Sequence, residues 1–530
     1  MNARFSIVTV IAAAPLDRFI ACAHSIVSQP YPEWEWHVVI DDSTDDQISA
    51  ELKRISAADR RVNSIVAGGT ITAPAEDRDD SLMDRHVRNA NLALGAAAGD
   101  FVAFVDPRDR LSTDALSEVN HCWNLDRDAD VLYSDEDRVD DDGGHRDRVS
   151  KPIWSPERLL GHHYLGDLLV MNTDLVNRVG GLREGYQGAE NYDLALRITE
   201  AAHHIVSIPE VLYHRTARPD SDNGPDFVSG QRRAAADAVK RRGIKGHVVP
   251  AGSSFHRVKR TPTRTPRVSI VIPTAGATAN LWGLDSPMVL NMVQSIVHTS
   301  TYSDFEILVV ADEGTDPALI QRLSEIDDVS IVEYRREFNF ADKCNTGALA
   351  ATGEILIFAN DDMEVRSPDW IESMIGFLEE PDVGAVGPML LYDNFTIQSA
   401  GHTAGPQLWA RGTPLPLDGP VELLVNRECV GTTGACLATR TETFAAIGGF
   451  STDFPLSFND VDLCFKLASR KQRIIWTPDA QLFHFESRSR DPSVSVAEDE
   501  MVTRRWGPQL LRDPYLRVNL EPGYQRSAAN

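Results

Sequence analysis

Residues 354 to 365, EILIFANDDMEV, carry an unbroken apolar run from Ile355 to Ala359 that gives way at once to Asn360-Asp361-Asp362. A short run that is apolar at every position is the pattern of a strand buried on both faces of a parallel sheet. Carboxylates at the C-terminal end of such a strand stand where open α/β sheets bind their ligands. Oxygen donors of this kind suit a hard divalent cation, Mg²⁺ or Mn²⁺, and such an ion would hold a diphosphate. The alternative on these residues alone is a solvated Asn-Asp turn closing a strand.

The elements that must position these residues alternate along the chain. FSIVTVI (5–11) has the pattern of a buried strand, followed by a helical segment near Ile20 to Ser28. WEWHVVIDDSTDD is a second strand ending at Asp41-Asp42, and a helix near Arg85 to Ala98 closes at Gly99. DFVAFVDPRD is then a third strand, ending at Asp106, and VLYSDEDRVDDDGG adds a further strand and an acidic turn. Strands alternating with helices predict an α/β fold with a mostly parallel, doubly wound sheet. TPTRTP (261–266) is polar and Pro-rich, the composition of a linker.

Beyond residue 266 the order of blocks repeats. RVSIVIPT follows FSIVTVI, with Ser269 for Ser6; SDFEILVVADEGTD follows PEWEWHVVIDDSTDD; ALAATGEILIFANDD follows ALGAAAGDFVAFVDPRD, with Gly353 for Gly99. RTETFAAIGGF follows NTDLVNRVGGL, and NDVDLCFKLASRKQRIIWTPDAQLFHFES follows ENYDLALRITEAAHHIVSIPEVLYHR. Partners stay in near-constant register, with offsets of 263 for Ser6/Ser269, 269 for Asp193/Asp462 and 270 for His214/His484. Two tandem copies of one domain are therefore expected: residues 1–260, a linker at 261–266, and residues 267–530 with a C-terminal extension.

Composition narrows the function classes. With 530 residues, 42% hydrophobic and 25% charged, the chain is ordinary for a globular protein, and its length alone suggests roughly three or four domains of ~150 residues, although α/β domains commonly run larger. A formal net charge of -26 argues against a nucleic-acid partner, because a phosphate backbone would be repelled. A basic stretch from Arg232 through Lys240, Arg241, Arg242, Lys245, Arg257, Lys259 and Arg260 to Arg264 is an exception. It is either a solvated helix face running into the linker or a patch meeting anionic lipid. Six scattered cysteines without metal spacing indicate small buried side chains in a reducing compartment. No run approaches ~18 apolar residues, and SIVTVI fits a first strand better than a leader, so a cytoplasmic protein is expected.

Taken in order, SIVIPT, EILVVADEGTD, GEILIFANDD, FNDVDLC and HFESRSR resemble the inverting family 2 glycosyltransferases of GT-A fold. The tandem layout, with VLYSDED, KPIWSPERLL, FNFADKCNTGA, VGAVGPMLLY, TGACLATR and RRWGPQLLRDPYLRVNL, is similar to the rhamnosyltransferase-like enzymes of bacterial cell-surface polysaccharide assembly. The resemblance implies transfer of a sugar from a nucleotide-sugar donor to a glycan, or lipid-linked glycan, acceptor. It also implies a Mn²⁺ or Mg²⁺ cofactor and a peripheral contact at the inner membrane face. By the same resemblance Asp362 is the metal-binding residue, joined by His484, whose alternative is a structural histidine. Asp460 is the acceptor-activating base, with Asp462 as a supporting carboxylate at the start of the same helix. Thr274, Asp312, Asn360 and Asp361 fall on the donor side, although Ala311 stands where an aspartate is usual.

The first copy keeps the fold signals and changes the chemistry. Counted from the shared glycine, Asp106 matches Asn360 and Arg108 matches Asp362, placing a guanidinium at the metal-ligand position. Asn191 stands for Asp460, and His214 for His484. A catalytically degenerate first domain is expected. One alternative is metal-free donor binding with Arg108 against the diphosphate and Asp135, Glu136 or Asp137 as base. Two further readings stay open: both domains transfer, or the chain is a non-catalytic glycan-binding scaffold. A nucleotidyltransferase would need a basic residue in the loop after the first strand, which IVIPTAGATANL lacks.

Overall fold

The computed structural model describes the whole chain except residues 1, 12–13, 68–81, 141, 187, 217–223, 405–410, 416–419, 486–493, 512 and 516–530. The tails of the HFESRSR and RRWGPQLLRDPYLRVNL blocks therefore lie outside the described residues. The chain divides into two compact units, residues 1–154 with 163–242, and residues 155–162 with 243–516.

In the first unit the strands are β1 (Phe5–Val10), β2 (Trp34–Ile40), β3 (Val62–Val66), β4 (Phe101–Phe104), β5 (Arg110–Leu111), β6 (Val131–Val139), β7 (His145–Val149), β8 (Leu169–Asn172) and β9 (Ile205–Thr216). They form one sheet in the order β3-β2-β1-β4-β8-β6-β9-β5, with β7 on β6. The second unit opens with a hairpin, β10 (Gly246–Ala251) and β11 (Phe255–Arg260). After it come β12 (Val268–Thr274), a small hairpin of β13 (Thr278–Leu281) and β14 (Leu284–Pro287), β15 (Phe305–Asp312) and β16 (Val329–Tyr334). The rest are β17 (Ile355–Ala359), β18 (Met363–Val365), β19 (Val383–Leu391), β20 (Ile397–Ser399), β21 (Arg427–Glu428), β22 (Cys436–Arg440) and β23 (Arg473–His484). Their sheet runs β16-β15-β12-β17-β22-β19-β23-β18, with β20 on β19 and β21 on β23. Strand for strand this is the order and direction of the first sheet, so the tandem α/β repeat read from the sequence is a repeat of topology.

Local chemistry explains why the blocks stay in register. Ser6 Oγ donates to Glu35 at 2.7 Å and accepts from Gly99 N at 2.9 Å. Ser269 Oγ does the same with Glu306, at 2.5 Å, and Gly353 N, at 2.8 Å. A Cβ on Gly353 would come within 2.7 Å of Arg267 O and Ser269 N, so only glycine permits this approach. These buried triads fasten the three central parallel strands of each sheet. Alternation along the strands supplies the core. Ile270, Ile307 and Ile357 face one layer with the helix Met288–Thr299, and Val271, Leu308 and Phe358 face the other with the helix Phe340–Ala350. Burial on both faces is why these runs are apolar throughout.

The division between units falls at Arg242/Gly243 rather than at 261–266, and the second unit also takes residues 155–162. Buried charge accounts for this. Arg260 is paired with Glu157 and, at 2.7 Å, with Glu380, and its guanidinium lies 4.6 Å over Phe377. Ser155 donates to Glu428, which also holds Arg473 at 2.8 Å. Of the basic stretch, Arg241, Arg257, Lys259 and Arg264 are likewise each paired with a carboxylate. Among the described residues no helix is long and apolar enough to cross a membrane, and all six cysteines are free.

Removing one member of a buried ion pair leaves the other without a partner, at about 3–5 kcal/mol. Glu157 and Glu380 keep Arg473 when Arg260 is removed, so Arg260→Met is expected to destabilise the second unit by less, about 2–3 kcal/mol, in chemical denaturation. Arg264→Met, which breaks the exposed pair with Glu354, should shift the same transition by less than ~1 kcal/mol.

Candidate functional site

Three parallel strands of the second sheet end at one edge: β12 at Thr274, β15 at Asp312, and β17 just before Asn360-Asp361-Asp362. Thr274 Oγ1 donates to Asp361 Oδ2 at 2.6 Å and accepts from Gly276 N at 2.9 Å. The Lys343 ammonium, 1% exposed, donates to Thr274 O at 2.7 Å and to Asp312 Oδ1 at 2.8 Å. Burial, foremost, and the charge of Asp362 push the Asp361 carboxyl up to about 6, against the pull of the Thr274 hydroxyl and Lys343. Three of the four expected donor-side residues, Thr274, Asp312 and Asp361, are thus one bonded group, knitted by a lysine to which the sequence reading gave no role. Lys343 is the only basic residue in its helix, Phe340–Ala350, and that is the signal that could have found it.

Asp362 and His484 also meet. Met363 pairs with His484 in the β18/β23 ladder, and His484 Nε2 stands 3.1 Å from Asp362 Oδ1. The other ring nitrogen, Nδ1, is 2.6 Å from Gln398 Oε1 on β20, which fixes the ring and leaves Nε2 toward the carboxylate. Asn360 Oδ1, on the same turn, is buried and has no hydrogen-bond partner among the described residues. A carboxylate, an imidazole nitrogen and an unsatisfied amide oxygen fit a divalent cation.

Asp460 is the second residue of the helix Asn459–Ser469. Its Oδ2 accepts from Gly434 N at 2.8 Å and its Oδ1 from Val461 N at 2.8 Å. The next residue, Ala435, accepts from Asn360 N at 2.8 Å. Two consecutive residues therefore tether Asp460 and the Asn360 turn to the same loop. His402 Nε2 lies 3.8 Å from Asp460 Oδ2, a neighbour the sequence did not indicate. Asp462 is fully buried and accepts at Oδ1 from Arg505 and Trp506, both at 2.9 Å. These donors come from the helix Val496–Leu510, whose Glu498 also accepts from Leu456 N and Ser457 N. The C-terminal helix thereby holds the loop that presents Asp460, where Phe458 adopts a left-handed φ of 60°.

In the first unit the equivalent edge differs at each point. Ladder registers make Asp41 the counterpart of Asp312, and Asn89, counted from the shared glycine, the counterpart of Lys343; Asn89 donates to Asp41 at 3.1 Å. Asp106 holds Arg108 in a paired hydrogen bond at 2.9 and 2.8 Å. Arg108 is not the structural counterpart of Asp362, however. Arg110 pairs with His214 as Met363 pairs with His484, so the residue preceding the short strand is Asp109. One extra residue in this turn shifts the register that counting from glycine gives. Asp109 is fully buried and accepts from Tyr213 OH at 3.0 Å and Thr216 N at 2.9 Å. Asn191 is exposed on the helix Glu190–Ala201. Of the carboxylates considered as a substitute base, Asp135 is taken by Arg148 and Lys151 N and Glu136 by Lys151. Asp137 lies against His145 and His214.

Open α/β sheets bind their ligands at the C-terminal ends of the strands, which is where this group of carboxylates stands. The sequence profile described as Glycosyl transferase family 2 matches residues 269–418, within the second unit. The O-antigen biosynthesis protein RfbC of Myxococcus xanthus is 32% identical over 536 residues, covering 97% of this chain and 40% of that protein. The uncharacterized protein y4gI of Sinorhizobium fredii is 31% identical over 531 residues, covering 94% of this chain and 55% of that protein. Among solved structures, S. aureus TarS 1–349 is 20% identical, covering 44% of this chain and 65% of that one at a TM-score of 0.35. The chain thus resembles the tandem-domain family 2 glycosyltransferases, and it spans about half or less of the length of the curated relatives it matches.

Because the Asp361 carboxyl is raised from 3.8 to about 6, its ionisation opposes folding. That penalty is absent below about pH 4, develops between pH 4 and 6, and is constant above. Asp361→Asn keeps an acceptor for Thr274, so it is expected to stabilise the metal-free protein by about 1–3 kcal/mol at pH 7.5. The gain should vanish near pH 4, as read by thermal unfolding across pH.

Proposed function

We propose that the second unit transfers a sugar from a nucleoside-diphosphate donor to a hydroxyl of a glycan acceptor, with inversion at the anomeric carbon. The observation that carries this reading is the tether at Gly434 and Ala435, which holds the Asp460 carboxylate beside the turn bearing Asn360, Asp361 and Asp362. Asp460 accepts the acceptor's hydroxyl proton as the oxygen attacks the anomeric carbon and the bond to the diphosphate breaks on the opposite face. Asp362, His484 and the Asn360 amide oxygen are the residues to hold Mn²⁺ or Mg²⁺, which when bound neutralises the leaving diphosphate. Thr274 and Asp312, fixed by Lys343, form the donor wall, with Asp312 against the nucleobase. Asp462 anchors the helix that presents Asp460.

Under this reading the first unit is non-catalytic. Its strand-end carboxylate Asp109 is committed to Tyr213 and Thr216, and Asn191 stands where a base is needed. The acceptor is proposed to be a growing cell-surface polysaccharide, lipid-linked at the inner membrane face, with the protein cytoplasmic and peripheral. The donor is proposed to be a hexosyl or rhamnosyl nucleotide. The similarity to the O-antigen biosynthesis protein RfbC supports this direction.

Asp460→Asn is expected to lower transfer by ~10²–10⁴-fold while nucleoside-diphosphate binding stays within error. Undiminished transfer in that variant would remove Asp460 as the base. Asp362→Ala should lose the Mn²⁺-dependent part of donor binding in calorimetry, and an unchanged titration would sink its assignment.

A further inference from the structure

The degenerate edge of the first unit carries a constellation that the second lacks. His214, two residues before the end of β9, lies beside Asp137, its partner in the parallel β6/β9 ladder, and Nδ1 of His214 stands 2.7 Å from Asp137 Oδ1. His145, at the start of β7, brings its Nδ1 to 2.9 Å from Asp137 Oδ2. The two imidazoles pack edge to face with centroids 4.6 Å apart. One ligand atom from each of Asp137, His145 and His214 lies within 4.8 Å of the others. In the second unit the strand equivalent to β7 supplies Gln398, an amide, and His484 turns its Nε2 to Asp362 instead.

We propose that the first unit binds one transition-metal dication at Asp137, His145 and His214, with Zn²⁺ favoured over Mg²⁺ or Mn²⁺. Two imidazole nitrogens and one carboxylate are the ligand types that select Zn²⁺ from the all-oxygen metals. Tetrahedral zinc bonds of ~2.0–2.2 Å place ligand atoms about 3.3–3.6 Å apart, so the widest pair, within 4.8 Å here, closes by up to about 1.3 Å. His145 is exposed on a hairpin strand and can make that movement, whereas Asp137 is buried and fixed by the sheet. The cations alongside are mostly neutralised: Arg215 by Glu136 and Asp167, Arg138 by Asp147, and Arg146 by Asp140. Arg110 faces His214 across the β5/β9 ladder, and a site built on two neutral imidazoles tolerates it better than an all-carboxylate site would. Three protein ligands leave a position for water or an incoming oxygen anion. The ion clips the β6–β7 hairpin to β9. This proposal stands independently of the transfer reaction assigned to the second unit.

The test uses the full chain carrying Asp362→Ala, which removes the carboxylate of the other candidate metal site. Titration with Zn²⁺ alone is expected to give one equivalent bound. Adding His145→Ala, or the hydrogen-bonding variant His145→Gln, should weaken binding by at least ~100-fold, beyond the range typical of losing an outer partner. Co²⁺ in place of Zn²⁺ should give visible absorption bands that both His145 variants abolish. No Zn²⁺ uptake by the Asp362→Ala chain, or uptake insensitive to His145, would overturn the proposal.

Discussion

Parallel strands that start together end together, and in the second unit they gather the carboxylates of Asp312, Asp361 and Asp362 at one edge. Such a concentration of like charge in a buried setting needs a fixed counter-charge. Lys343 provides it by donating both to Asp312 and to the backbone carbonyl of Thr274, whose hydroxyl in turn donates to Asp361. The ammonium is buried and strongly localised by its two acceptors, so it positions the edge as well as balancing it. On the far side stand Asp362, with His484 Nε2 3.1 Å away, and the Asn360 amide oxygen, which has no hydrogen-bond partner among the described residues.

The first unit shows what the same topology becomes without that lysine. Asn89 stands at its position, Pro107 replaces one carboxylate, and Arg108 folds back onto Asp106 to make the turn self-neutral. The surviving carboxylate, Asp109, is buried behind Tyr213. Duplication preserved the triad of serine, glutamate and glycine that fastens the sheet and released the edge to other uses. The fold depends on the former and the chemistry on the latter, which is why the two copies agree so closely in strand order and so little at their tips.

Much of this was legible in the sequence. Ser6, Ser269, Gly99 and Gly353 repeat because each is held by close backbone approach, and constraints of that kind leave a fixed residue at a fixed spacing. The grouping of Thr274, Asp312 and Asp361 follows from parallel strands sharing one edge, whereas Asp362 meets His484 through the antiparallel β18/β23 ladder. Three things were not legible. The extra residue before β5 made counting from glycine point to Arg108, since a turn insertion leaves no trace in apolar periodicity. Asp137, His145 and His214 converge through register shifts in β6 that no spacing rule records. The unit boundary at Arg242/Gly243 depends on buried ion pairs such as Arg260 with Glu157, which apolar patterning cannot indicate.

Two edges with different charge should bind a nucleoside diphosphate differently, and that asymmetry is the core of the account. The most direct measurement is the stoichiometry of nucleoside-diphosphate binding to the intact chain by calorimetry in the presence of saturating Mn²⁺. One equivalent per chain, lost when Mn²⁺ is chelated, is the result expected of a single competent edge in the second unit. Two equivalents, or one that persists without the metal, would contradict it.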